Sequence, residues 1–183
     1  MSRVFPLAFT AFMAAAGALP TAVWAADSTD RKFFESVTGE WVGPGEIVAG
    51  KYKGTKFTCS FTGSTPGSKL GMTLDGDCRV GMFTQKMTAT VQHQGGRKGY
   101  TGVFQDGAAG KGLDIVSGNV VDDQKVVFAI NRNQLKGAML ARLPDENTMR
   151  VTVSVRVDKQ MVPVIGMNLR RVDPATVGSL VRR

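Results

Sequence analysis

From residue 39 onward the chain alternates. Met149, Val151, Val153, Val155 and Val157 share one parity, and Arg150, Thr152, Ser154 and Arg156 share the other. Phe57, Cys59 and Phe61 interleave with Lys56, Thr58 and Ser60, and Phe83, Met87, Ala89 and Val91 with Thr84, Lys86, Thr88 and Thr90. A period of two places successive side chains on opposite faces of an extended strand, so each segment has one dry face and one wet face. Turn residues interrupt the pattern at Gly50 to Gly54, Gly63 to Gly67, Asp75-Gly76, Gly95-Gly96, Asp106-Gly107, Asp122-Asp123, Arg132-Asn133, Pro144 to Asn147 and Asp158-Lys159. The segments between them predict about ten strands.

Helical patterning is confined to the ends. Residues 26–38 read as a polar lead-in followed by a short helix, capped by Asp30, carrying Phe33, Phe34 and Val37, and ended by Gly39. Such a helix would plug or cover one end of a sheet. Residues 173–183 form a C-terminal tail in which Asp173 and Pro174 would open another short helix. Many two-faced strands with almost no helix to cover them must close on themselves or stack as two sheets. Closure removes exposed edges, and the steady hairpin rhythm suits an up-and-down path. The expectation is an all-β chain: a single up-and-down antiparallel barrel over residues 39–172. A barrel embedded in an outer membrane would need aromatic girdles and an apolar outer band. With two Tyr in all, and Lys and Arg on the faces that would meet lipid, this sequence is unsuited to that role.

The first residues carry one charge, Arg3, then an apolar run from Val4 to Trp24 that exits through small residues at Val23 and Ala25. This is the pattern of a cleavable leader spanning residues 1–25, with export to the periplasm as the expected consequence. No later stretch is long and apolar enough to cross a membrane as a helix. In an oxidising compartment Cys59 and Cys78 are expected to pair as a disulfide, since a metal or redox site would call for a CxxC spacing or a nearby His. The net charge is +8, and loss of Arg3 with the leader brings it to +7. The charge sits in small clusters such as Arg31-Lys32, Lys51 to Lys56 and Arg97-Lys98, not in the aromatic-interleaved stripe of a nucleic-acid binder. Anionic envelope components are the expected charged partners.

Gly39-Glu40-Trp41 resembles the G-x-W that opens the first strand of lipocalins and related calycin barrels. The resemblance implies that Trp41 packs across the closed end against an Arg of the last strand, here Arg170 or Arg171. The run Trp41-Val42-Gly43-Pro44-Gly45 is also similar to the start of nitrobindin-like ten-stranded haem barrels. That likeness implies haem held by a His from a late strand, whereas the single His of this chain is His93, in mid-sequence. No cofactor is therefore expected.

Catalytic chemistry has few candidates. His93 lacks a G-x-S-x-G partner motif, and the acidic residues Asp75, Asp77, Asp122, Asp123, Asp145 and Glu146 belong to expected turns. The dry faces are more informative. Phe57, Phe61, Met72, Phe83, Met87, Phe104, Met139, Met149, Met161 and Met167 would point inward, with Leu70, Leu74, Leu113, Ile115, Val151, Val153 and Ile165. Gln85, Tyr100, Ser117 and Asn119 would supply a few polar groups there, unless Gly118 marks a bulge that turns 117 and 119 outward. Met-rich walls adapt to varied apolar ligands, but the same residues would equally fill a solid core. The sequence thus points to an exported barrel that binds a small apolar or amphipathic, lipid-like molecule. Two alternatives stand beside it: an envelope interaction protein acting through its basic surface, and an enzyme using His93.

Overall fold

The computed structural model describes residues 22–67, 69–105 and 112–172, with side chains from Ser28 onward. Helix α1 (Ala22–Val37) precedes ten strands: β1 (Gly39–Ile47), β2 (Lys56–Ser64), β3 (Gly71–Val80), β4 (Phe83–His93), β5 (Tyr100–Gln105), β6 (Leu113–Asp122), β7 (Lys125–Arg132), β8 (Leu135–Asp145), β9 (Thr148–Val157) and β10 (Gln160–Arg171). Each strand pairs antiparallel with its neighbours in sequence, and β1 also pairs with β10, so the sheet closes as an up-and-down barrel. The all-β expectation and the strand number hold. Most of the expected leader and all of the expected tail from Asp173 lie outside the described residues.

Helix α1 covers one end of the barrel, the helix end. Phe33, Phe34 and Val37 form its apolar stripe and are buried, while Arg31, Lys32 and Glu35 face solvent. Burying each of those apolar side chains contributes roughly 1.5–3 kcal/mol. Gly39, at φ 115°, allows the chain to leave the helix and enter β1 directly. The helix begins well before Asp30, which therefore lies within it and does not cap it. Instead, the Asp30 carboxylate accepts a hydrogen bond of 2.6 Å from the Tyr100 hydroxyl on β5.

The register corrects three readings of the sequence. Asp75-Gly76 is not a turn: it lies in the middle of β3, and Gly76 faces Phe61 of β2, where an added Cβ would strike Ser60 and Phe61. Cross-strand crowding, not turn geometry, demands glycine there. The hairpin instead turns at Gly81-Met82, with Gly81 at φ 57°. The pairing also slips between Ile115 and Ser117 on β6 and between Pro163 and Ile165 on β10. Each bulge reverses the inward parity of the residues beyond it.

Cys59 and Cys78 face one another across β2 and β3 and form a disulfide, with Cα atoms 4.0 Å apart. A cross-link spanning 19 residues stabilises the fold by roughly 3 kcal/mol, chiefly by restricting the unfolded chain.

Candidate binding cavity

The inward faces of the strands enclose a cavity of about 160 Å³. At the helix end it meets Phe33, Val37, Trp41, Met149 and Leu169; towards the far end it meets Phe57, Phe104, Leu113 and Ile165. Among the described residues its wall is apolar throughout. On β1, Gly45 leaves the space that the Phe57 ring and the Met167 side chain occupy, because a Cβ at that position would collide with both. Gly43 likewise lets the backbone of β10 approach at Asn168. The glycines after Trp41 thus serve close packing beside the cavity.

Eight of the expected ligand contacts share this wall: Phe57, Phe61, Met72, Met87, Phe104, Met139, Met149 and Met167. Four others are placed elsewhere. Tyr100 is buried beside Phe34, with ring centroids 4.8 Å apart, and its hydroxyl is turned to Asp30. Phe83 and Gln85 keep the inward parity, but their strand runs past the rim, so both are exposed. Met161 pairs with Arg156 below the β10 bulge and faces an outer groove beside Lys136 and Ala138. The bulge on β6 similarly turns Ser117 and Asn119 outward and Gly118 inward against Phe128 and Tyr100.

Several wall residues were missed by sequence reasoning. Val126 and Phe128 belong to the alternation of Val126, Phe128 and Ile130 on β7, which was legible but not used. Phe33 and Val37 come from the helix, and no periodicity within the strands could have placed them. Cys78 also reaches the wall; its sulfur lies 3.6 Å from the Met87 sulfur. With no thiol hydrogen left in the disulfide, that is a packing contact.

The floor is built around Trp41, which is fully buried. Its indole N–H donates to the Val37 carbonyl at 2.8 Å, so the one polar atom of the side chain is satisfied by the end of the helix. The Arg171 guanidinium carbon stands 4.3 Å from the centre of the Trp41 ring. The same guanidinium donates to the carbonyls of Ser36 at 2.7 Å, Glu146 at 2.9 Å and Thr38. Arg171 therefore ties the helix, β10 and the β8–β9 turn together, while Arg170, one residue earlier, points to solvent.

His93 is exposed at the helix end, with its ring 5.1 Å from that of Tyr100 and away from the cavity wall. Among the described residues no cluster of three or more His, Cys, Asp or Glu side chains is placed to hold a metal ion. No family model matches the chain, and no curated protein matches it.

Proposed function

We propose that the protein is an exported, non-catalytic carrier that binds a small apolar or amphipathic, lipid-like molecule inside its barrel. The observation that carries this reading is a cavity that is apolar throughout among the described residues, with five flexible Met side chains in its wall. Interiors are normally packed close to crystalline density, so an apolar void in the middle of a small barrel supports a ligand site over a filled core. At about 160 Å³ it is smaller than the roughly 300–1,000 Å³ of sites for drug-sized molecules. A slender acyl chain or a single-ring hydrophobe therefore suits it, with the Met side chains adjusting to the ligand's shape. With no polar partner in the wall among the described residues, the head of an amphipathic ligand stays outside it.

The Trp41–Arg171 pair supports kinship with calycin barrels, in which the first-strand Trp meets a last-strand Arg. Ten strands set the chain apart from the eight of lipocalins. The His required by the haem-binding likeness has no counterpart in the cavity wall. Export to the periplasm rests on the leader pattern of residues 1–25 and agrees with the Cys59–Cys78 disulfide.

Displacement of a fluorescent fatty acid tests the reading. The parent protein should bind the probe, and Ala141→Leu, which adds bulk at the wall, should weaken binding by about tenfold without lowering thermal stability. Binding unchanged by Ala141→Leu would place the probe outside the barrel and contradict the proposal.

A further inference from the structure

The far end of the barrel, opposite the helix, differs chemically from the helix end. Four hairpins with described connections project there: β1–β2, β3–β4, β7–β8 and β9–β10. Among the described residues, every large apolar side chain more than half exposed lies on these hairpins: Tyr52 at 63 %, Met82 at 95 %, Phe83 at 81 %, Leu135 at 57 % and Val157 at 52 %. The nearest rival at the helix end is Val121, at 49 %.

Charge follows the same division. From the last two residues of one strand to the first two of the next, β1–β2 carries Lys51, Lys53 and Lys56 against Glu46, and β3–β4 carries Arg79. In the same span β7–β8 carries Arg132 and Lys136, and β9–β10 carries Arg156 and Lys159 against Asp158. Eight cations on these four hairpins thus face two carboxylates, and the exposed Asp114 at the start of β6 adds a third to this end among the described residues. The same rule applied to the described helix-end turns gives Lys69, Arg97, Lys98 and Lys125 against Asp122, Asp123, Asp145 and Glu146, an even balance.

Cations and apolar groups also interleave within each of these four hairpins. Tyr52 lies between Lys51 and Lys53, and the Lys51 ammonium sits 5.5 Å from the centre of its ring. Val80 follows Arg79, Leu135 precedes Lys136, and Val157 follows Arg156.

We infer that this rim docks on an anionic lipid bilayer, with Met82, Phe83 and Tyr52 entering the headgroup layer and the surrounding Lys and Arg pairing with lipid phosphates. Apolar tips gain by leaving water at that depth, while the cations remain among anionic headgroups. A second copy of the chain is a poor occupant, because rim against rim would bring cations together. The docked orientation turns the far end of the barrel to the membrane and leaves the helix end in solution. The inference goes beyond the carrier reading, since the rim would dock with the cavity empty or filled.

The test is co-sedimentation of the protein with vesicles of phosphatidylcholine alone and of phosphatidylcholine mixed equally with phosphatidylglycerol. Binding should require the anionic lipid and weaken with salt. Each cation at such a surface strengthens binding about fivefold, so Lys51→Glu with Lys53→Glu should weaken it by at least about twentyfold. Met82→Ser with Phe83→Ser should also release the protein, whereas Arg97→Glu with Lys98→Glu, the same charge change at the helix end, should have little effect. All three pairs are exposed, and circular dichroism would confirm that each variant folds. Equal loss from the helix-end pair would show diffuse charge attraction and overturn the inference. So would failure to bind anionic vesicles, including the case in which the rim instead captures an acidic protein.

Discussion

The two ends of this barrel use similar residue types to opposite effect. At the helix end the large side chains are buried and the polar groups beside them are partnered: Trp41 donates to Val37, Tyr100 to Asp30, and Arg171 to three carbonyls. At the far end Met82, Phe83 and Tyr52 stand in solvent among lysines and arginines. An aromatic ring and a guanidinium therefore carry no fixed meaning; their surroundings decide whether they hold the fold together or meet something outside it. The helix end seals one mouth of the barrel, whereas towards the far end the Cys59–Cys78 disulfide joins β2 to β3 and the exposed tips beyond it make no such contacts among the described residues.

The contrast breaks most sharply at Trp41. Trp41→Ala should destabilise the protein by about 3–5 kcal/mol, measured by urea unfolding, because it opens a void beneath the helix and removes the ring under Arg171. A cost below about 1 kcal/mol would show that the helix end is not the keystone. Arg171→Met should cost about 2 kcal/mol through lost charge-assisted hydrogen bonds and the ring contact, while Arg170→Met should cost almost nothing. Equal effects at the two arginines would dissolve the distinction between them. The smallest change is expected at the far end, where Phe83→Ser should leave stability within about 0.5 kcal/mol of the parent. A larger loss would mean that Phe83 packs on something that supports the fold.

The barrel was legible because its strands obey one simple rule for most of their length. The run from Met149 to Val157 alternates without interruption, and its odd-numbered residues through Val153 do reach the cavity wall. The rule fails where the backbone departs from regular pairing. Met161 has the parity of Met167, yet the bulge between them sends it outside. Phe83 has the parity of Met87, yet parity states which face a side chain takes and not how far the strand extends beyond the barrel. Asp75-Gly76 has the composition of a turn, but the glycine is required by Phe61, which is distant in sequence. The helix with its stripe of Phe33, Phe34 and Val37 was legible as a cover for one end, but that Phe33 and Val37 reach the cavity wall depended on three-dimensional docking that no local pattern encodes. The Trp–Arg pair was anticipated through a family resemblance that left Arg170 and Arg171 open, and the ring contact selects Arg171.

The central claim is that the space above Trp41 belongs to a ligand. Native mass spectrometry of the protein purified without detergent from the cells that make it, followed by denaturation and organic extraction, tests this most directly. The account predicts a reproducible adduct that is lost on denaturation and recovered in the apolar extract. A clean unliganded mass, unchanged after incubation with fatty acids and phospholipids, would contradict it.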